Sequence, residues 1–193
     1  HAGLPDDVLL ILDGAYAECA TAEDFEAGEK LVESSKNVVM TRTFSKLYAL
    51  AGLRVGWCYA PDEITAVLNR VRLPFAVNLV AQRTALAAVE DVEHSETAIA
   101  FNTEGRELLT AGLNAIGLHV VPSQANFVFI EFPNDPKYNA ETANDYLTQN
   151  GYLLRHIPGP ITGKYLRMTI GTHHQNTAVI ELLRAFLDGG HDA

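Results

Sequence analysis

Three short apolar runs in the first sixty residues constrain the fold most strongly. They are VLLILD at residues 8–13, NVVMTRTF at 37–44 and VGWCYA at 55–60. Runs of this kind are typical of strands that are buried on both faces of a parallel sheet, with helices on either side. The segments between the runs are long enough for crossover connections rather than hairpin turns. The sequence therefore predicts an α/β fold with a mostly parallel sheet in this part of the chain.

The remainder of the chain predicts long helices followed by a smaller unit. PDEITAVLNRVR (61–72) has helix-start chemistry, and residues 78–116 predict two long helices with a break near 91–95. Farther on, HVVPSQANFVFIEF (119–132), YLLRHI (152–157) and KYLRMTIG (164–171) are strand-like, whereas AETANDYLTQNG (140–151) and NTAVIELLRAFLDGG (176–190) are helical. We expect residues 1–92 to be part of an α/β domain and residues 93–193 to form a small α+β domain.

Charge and cysteine content exclude several classes of function. The chain has 24 acidic residues against 14 Lys and Arg, and no basic run that could follow a phosphate backbone, so nucleic-acid binding is disfavoured. Cys19 and Cys58 are far apart and form no disulfide framework or metal-site pattern. No apolar run approaches the roughly 20 residues that span a bilayer. We expect a cytoplasmic protein without a metal or a membrane segment.

The segment TRTFSKLYALAGLRVGW (41–57) carries the strongest chemical signal. In open α/β sheets, reactive groups collect at the carboxyl ends of the strands, and both Asp13 and Lys46 are predicted there. A lysine at such a place can lose solvation and reach its neutral, nucleophilic form. The hydroxyl of Ser45, the guanidinium of Arg54 and exposed glycine amides suit an anion such as phosphate.

Simpler roles exist for each of these residues taken alone. A carboxylate after a strand often caps a turn, and a single lysine is usually a solvated surface charge. The combination is more informative. A lysine beside a phosphate pocket, with a buried carboxylate on the neighbouring strand, supplies the groups that hold pyridoxal phosphate (PLP).

These motifs resemble the fold-type I PLP-dependent aminotransferases (class I and II). The T-F-S-K and A-G-L-R-V-G arrangements and LLILDGAYAEC (9–19) carry the resemblance, which continues through PSQANFVFIEF, GYLLRHI and YLRMTIGT. Within that family the chain is most similar to the histidinol-phosphate aminotransferases. The resemblance implies the carboxyl-terminal part of a PLP-binding large domain followed by a small α+β domain.

The resemblance also implies a role for each matching residue. Lys46 would bond covalently to the cofactor and serve as the general acid and base. Asp13 would pair with the pyridinium nitrogen, and Tyr16 would donate a hydrogen bond to the O3′ oxygen. The remaining matches would bind anions. The cofactor phosphate would be bound by Ser45, Arg54 and Thr43. Arg167 would bind the substrate carboxylate, and Arg155 would bind the anionic end of the substrate.

The implied reaction is the transfer of an amino group from L-histidinol phosphate to 2-oxoglutarate, which gives imidazole acetol phosphate and L-glutamate in histidine biosynthesis. The implied assembly is a homodimer with shared active sites. An aromatic amino acid aminotransferase and a threonine-phosphate decarboxylase stay open as alternatives, because the lysine segment does not report the side-chain pocket. A non-catalytic folded half that keeps the motif by descent is an alternative of a different class.

The sequence departs from the family in two ways. Gly14 follows Asp13, where many relatives have an acidic residue. The resemblance also implies that the printed residues correspond to the second half of a relative. The family's glycine-containing phosphate loop, ring-stacking aromatic residue and N-P-x-x-P-T-G segment have no match in them, and the resemblance leaves open whether a first half belongs to the same polypeptide. We expect a carboxyl half that is inactive or weakly binding by itself.

Overall fold

Two strands run side by side at the start of the chain and set the geometry of the first unit. In the computed structural model, which describes residues 1–189, β1 (Leu10–Asp13) pairs in parallel with β2 (Val38–Thr43), and β2 pairs with β3 (Gly56–Tyr59) in the order β1-β2-β3. The short helix α1 (Glu29–Glu33) lies between β1 and β2 in the chain. Val38 and Met40 of the central strand are fully buried and form a small core with Val32 of α1.

The predicted connection between the second and third apolar runs is wrong. β3 is antiparallel to β2, with Thr43 opposite Gly56, so the chain between them reverses direction instead of crossing over. A loop with one short 3-10 turn (Ala51–Leu53) makes this reversal. The reversal brings β3 very close to β2, since a methyl group on Gly56 would lie 2.6 Å from the carbonyl oxygen of Arg42. Only glycine allows this approach.

β1 is also less buried than its apolar sequence predicts. Its residues alternate between half-buried and exposed, and Ile11 is 59% exposed. Alternate residues of a strand point to opposite faces of the sheet. Leu10 and Leu12 pack against the core around Met40, whereas Ile11 points to the opposite face.

Helices follow in the first unit and lead into the second. They are α2 (Asp62–Val71), α3 (Leu79–Glu90) and α4 (Val92–Ala115), and the break at Asp91 confirms the predicted interruption of the long helical segment. The side chain of Asn78 caps α3 by accepting a hydrogen bond from the backbone N–H of Ala81. The chain divides into two compact units, His1–Ile99 and a second that begins at Ala100.

The second unit contains an antiparallel four-stranded sheet with helices, in agreement with the predicted α+β composition. Its strands are β4 (His119–Val121), β5 (Phe127–Glu131), β6 (Arg155–His156) and β7 (Tyr165–Thr169), in the order β4-β5-β7-β6. The helices are α5 (Ala140–Gln149) and α6 (His173–Leu187). Buried residues of both helices and of β5 and β7 form one core, which includes Leu147, Leu183, Ile130 and Leu166.

The apolar segment at 119–132 forms two strands instead of one. Pro122 cannot donate a backbone hydrogen bond, and it lies where β4 ends. The hydroxyl of Ser123 then donates to the carbonyl of Phe127 and accepts from the N–H of Ala125, which closes a tight turn before β5.

None of the helices within residues 1–189 is long and apolar enough to cross a membrane.

Candidate active site

The carboxyl ends of β1 and β2 bring the predicted residues of the first unit together. Asp13 is the last residue of β1 and lies directly opposite Thr41 on the parallel strand β2. Lys46 follows three residues after Thr43, the last residue of β2. Since the two strands are parallel, both side chains arise from the same edge of the sheet, as the sequence predicts.

Asp13 is exposed, and the prediction that its carboxylate is buried is wrong. It lies two residues after Ile11, on the face of β1 that the core does not cover. One carboxylate oxygen accepts a hydrogen bond of 3.0 Å from the backbone N–H of Ala15, which folds the chain into a tight turn at the end of the strand. The structure therefore gives Asp13 both a turn-forming role and an accessible negative charge.

Tyr16 and Lys46 meet on this edge. The Nζ atom of Lys46 lies 5.2 Å from the centroid of the Tyr16 ring, within the range of a cation–π interaction. Tyr16 immediately precedes the 3-10 turn Ala17–Cys19. Its ring lies near the loop that joins β2 to β3 and carries Lys46, residues 44–55, which we call the lysine loop. Within the described part of the chain Lys46 forms no ion pair.

A cluster of polar side chains lies at the end of β2 and in the lysine loop, and consists of Thr43, Ser45 and Arg54. The Nη1 atom of Arg54 lies 3.5 Å from Oγ of Ser45 and donates to the carbonyl of Ala51 at 2.7 Å. The hydroxyl of Thr43 accepts a hydrogen bond from the backbone N–H of Ser45, which fixes the start of the loop. No carboxylate within residues 1–189 pairs with Arg54. A hydroxyl and an uncompensated guanidinium at this spacing fit the phosphate group of PLP.

Backbone strain accompanies the loop. Ala49 and Arg54 have φ angles of 55° and 53°, in the left-handed region that residues other than glycine rarely adopt. The N–H of Ala49 donates to the carbonyl of Lys46, which closes the turn that presents the lysine. Strained residues of this kind often persist where the backbone has to hold a functional group in place.

Two of the arginines of the second unit lie directly opposite each other. Arg155 on β6 pairs in register with Arg167 on β7. Both line an open pocket of about 430 Å³, together with Tyr152, Thr169 and Gln175, and no Asp or Glu is among its described lining residues. The pocket is therefore positively charged and suits an anionic ligand.

Arg167 is the more constrained of the two. Its Nε atom is buried and has no hydrogen-bond partner, and its guanidinium carbon lies 5.0 Å from the centroid of the Phe127 ring. A buried polar atom without a partner is costly unless a ligand completes its hydrogen bonding. Phe127 as the support of Arg167 was not predicted from the sequence, because only the β5–β7 register, which places Phe127 opposite Thr169, brings the two side chains together.

A second feature missed by sequence reasoning lies beside Lys46. Arg42 forms ion pairs with Glu18 at 3.0 Å and with Glu29 at 2.8 Å. Its side chain is only 9% exposed. The sequence signal was an arginine within an otherwise apolar strand, but its partners could not be chosen without the fold.

A family profile and a curated relative each match nearly all of the chain. The profile of the family described as aminotransferase class I and II matches residues 5–185. The chain is 44% identical over 187 residues to histidinol-phosphate aminotransferase 1 of Caulobacter vibrioides, covering 97% of this chain and 52% of that protein. The chain therefore spans about half the length of the curated relative it matches.

Solved structures of low sequence identity share the fold. Histidinol-phosphate aminotransferase of Sinorhizobium meliloti in complex with pyridoxal-5′-phosphate superposes with a TM-score of 0.86 at 24% identity, over 96% of this chain and 50% of that one. L-threonine-O-3-phosphate decarboxylase of Porphyromonas gingivalis superposes with a TM-score of 0.78 at 24% identity, over 95% and 56% of the two chains. Both likenesses extend over nearly all of this chain.

Proposed function

The chain belongs to the class I and II aminotransferase family, and from this premise we propose that it provides the covalent anchor and anion-binding groups for PLP-dependent transamination. The observation that carries the proposal is the position of Lys46. Its amine lies over Tyr16 at the same sheet edge as Asp13, within a loop where Ser45 and Arg54 are adjacent.

Each residue has a defined task in this proposal. Bound PLP supplies a ring that accepts electrons from the α-carbon of the substrate. Lys46 would hold the cofactor through its amine and would move the proton at that carbon. Asp13 would keep the ring nitrogen protonated through its negative charge, and Tyr16 would donate a hydrogen bond to O3′. Ser45 and Arg54 would hold the phosphate, and Thr43 supports them by accepting a hydrogen bond from the N–H of Ser45.

The second unit supplies groups for the substrate anions. Arg167 has a buried Nε atom without a partner, so a carboxylate bound there would accept the hydrogen bond that the protein leaves open. Arg155, its register partner, is exposed and suits the other anionic end of a substrate. We propose this unit as the small domain, and the unit before it as the carboxyl-terminal part of the PLP-binding domain.

We propose L-histidinol phosphate and 2-oxoglutarate as the substrates, in a cytoplasmic homodimer. The identity of 44% to a histidinol-phosphate aminotransferase supports this choice, as does a pocket lined by two arginines and no acid. The same pocket would accept the phosphate of threonine phosphate, so decarboxylation of that compound is the second candidate. Transamination of an aromatic amino acid is the third, and in it the second arginine would serve only the distal carboxylate of 2-oxoglutarate.

Steady-state kinetics of the complete protein separate these functions. The assays should compare L-histidinol phosphate, phenylalanine and threonine phosphate as substrates, with glutamate formation and CO₂ release as the two readouts. We expect the highest kcat/KM for L-histidinol phosphate with 2-oxoglutarate. CO₂ release from threonine phosphate, or a preference for phenylalanine, would refute the substrate assignment. A cofactor-loaded protein without activity on any of the three would favour a non-catalytic role.

A further inference from the structure

Arg42 is a buried cation beside the lysine loop, and the proposed function gives this arginine no task. It lies on β2 and is followed immediately by Thr43, the last residue of that strand. One of its terminal nitrogens pairs with Glu18 and the other with Glu29, and its guanidinium lies 6.0 Å from the centroid of the Trp57 ring. Four elements of the first unit therefore converge on one guanidinium.

Burial of this arginine is not a simple source of stability. Ion pairs that are removed from water lose much of their Coulombic gain to desolvation, and apolar residues of similar volume often serve equally well. Arg42 also has a buried Nε atom without a hydrogen-bond partner. Desolvation of the ion pairs and the unpaired Nε atom both cost free energy. We therefore expect that the position of the Arg42 guanidinium next to the candidate site has a purpose other than stability.

Glu18 connects Arg42 to Tyr16. Glu18 is the middle residue of the 3-10 turn Ala17–Cys19, and the carbonyl of Tyr16 accepts the hydrogen bond from the N–H of Cys19 that closes this turn. Glu18 is nearly buried, with a side chain that is 16% exposed, whereas the side chain of Glu29 is 50% exposed. Of the two ion pairs, the one to Glu18 is therefore the better shielded from solvent.

Gly14 brings the same turn against Arg42. The N–H of Gly14 donates to the carbonyl of Thr41 at 2.9 Å, and a methyl group added at Gly14 would lie 2.9 Å from Cδ of Arg42. The chain from Asp13 to Cys19 is thus held to β2 at two places, by backbone at Gly14 and by the ion pair at Glu18. Glycine after Asp13 is required here because the arginine fills the space that a side chain would occupy.

Tyr48 lies within the electrostatic reach of the same pair. Burial and the nearby Glu18 carboxylate raise the pKa of the Tyr48 hydroxyl, and the guanidinium of Arg42 opposes them. The ring of Tyr48 lies 4.9 Å from that of Phe44, the residue that begins the lysine loop. The electrostatic influence of the Arg42–Glu18 pair therefore reaches Tyr48, two residues after Lys46.

We propose that Arg42 and Glu18 act as a positioning pair, which holds the turn that carries Tyr16 against β2 and thereby fixes the Tyr16 ring beside the amine of Lys46. The inference rests on the proposed function for the tasks of Tyr16 and Lys46. Neither Arg42 nor Glu18 touches the reacting atoms. Their effect is on the hydrogen bond that Tyr16 donates to the cofactor.

The test compares two variants, each of which replaces one of the two carboxylates that pair with the guanidinium of Arg42. Glu18→Gln loosens the turn that carries Tyr16, whereas Glu29→Gln alters only the contact to α1. A hydrogen bond from Tyr16 stabilises the ionised O3′, so its weakening should raise the pKa of the bound cofactor's chromophore, by about half a pH unit or more. We expect this rise, and weaker PLP binding, for Glu18→Gln. Glu29→Gln should keep the wild-type titration.

A cofactor-free measurement makes the test independent of the proposed function. Hydrogen exchange followed by mass spectrometry in the apoprotein should show faster exchange in the peptide covering residues 13–20 for Glu18→Gln, and unchanged exchange there for Glu29→Gln. Glu26→Gln is the matched control, since Glu26 pairs with Lys30 on the exposed surface. Equal effects of Glu18→Gln and Glu29→Gln, or no effect of Glu18→Gln on residues 13–20, would refute the positioning role.

The two hypotheses fail in different ways. If the wild-type protein forms no covalent complex with PLP, the proposed function fails, and the exchange data alone still decide whether Glu18 holds the turn. If the wild type forms the complex but Glu18→Gln leaves both the chromophore titration and the exchange unchanged, the positioning role fails and the proposed function stands.

Discussion

The amine of Lys46 and the ring of Tyr16 lie 5.2 Å apart at the carboxyl edge of the first sheet. This contact joins the loop after β2 to the turn after β1, and it gives the lysine a defined position although no carboxylate within residues 1–189 pairs with it. An interaction of this type contributes about 0.5–2 kcal/mol, which is enough to restrict a flexible side chain. The side chain of Lys46 is therefore held near the carboxyl ends of both strands.

The negative charge of Asp13 should be required for turnover but not for folding. Asp13→Asn keeps an oxygen that can accept the hydrogen bond from Ala15, so the turn should survive. We expect kcat to fall by about 100-fold or more, the scale of losing one preorganised electrostatic partner. Steady-state kinetics and thermal unfolding provide the measurements. Asp7→Asn, an exposed residue before β1, is the control, and wild-type kcat in Asp13→Asn would remove Asp13 from its role.

Replacement of Arg167 should affect substrate binding more than the fold. Arg167→Lys keeps the charge but loses the planar, two-pronged donor geometry. Hydrogen bonds to charged groups contribute about 1.5–3 kcal/mol, so we expect KM for 2-oxoglutarate to rise by about 10- to 100-fold. Arg184→Lys, on the exposed face of α6, should leave KM unchanged. An unaltered KM in Arg167→Lys would show that the substrate carboxylate binds elsewhere.

A side chain at position 14 should destabilise the protein. The methyl group of Gly14→Ala would meet the carbonyl oxygen of Thr41 at 2.8 Å and Cδ of Arg42 at 2.9 Å, so one of them has to move. Overpacking of this kind costs about 1–3 kcal/mol. Gly52→Ala is the control, because a methyl group there meets no atom within 4 Å. Urea denaturation should separate the two, and equal stabilities would contradict the close contact with Arg42.

Glycine at position 49 should stabilise the lysine loop. Ala49 has a φ angle of 55°, which a methyl side chain disfavours. We expect Ala49→Gly to increase the free energy of unfolding by up to about 1 kcal/mol, whereas Ala51→Gly, without a positive φ, should decrease it by about 0.5–1 kcal/mol. Denaturant titration of both variants measures whether the free energy of unfolding rises or falls. Destabilisation by Ala49→Gly would argue against the left-handed conformation.

Element types were largely predictable from the sequence, but strand direction was not. The helices α3 and α4 follow the helical composition of residues 78–116, and Asn78 provides a recognisable cap. The orientation of β3 was missed, because the apolar residues of a short strand do not indicate whether it pairs in parallel or antiparallel with its neighbour. The reversal depends on the loop around Arg54 and on the close approach at Gly56, which only the fold reveals.

The residues of the candidate site were predicted through their motif, but the contacts between them were not. The sequence places polar side chains where apolar runs end, and this pattern pointed to Asp13, Lys46 and Arg54. The exposure of Asp13 was missed, since it depends on which face of β1 the core covers. The support of Arg167 by Phe127 and the pairing of Arg42 with Glu18 are long-range contacts, which local patterns do not encode.

The covalent link between Lys46 and PLP is the central claim, and peptide mass mapping tests it most directly. The full-length protein is incubated with PLP, reduced with borohydride and digested, and Lys46→Ala is treated in parallel. We predict a stable pyridoxyl adduct on Lys46 in preference to the other four lysines of this chain, and no such preference in Lys46→Ala, which should keep the thermal stability of the apoprotein. An adduct spread evenly over the lysines, or none on Lys46, would contradict the account.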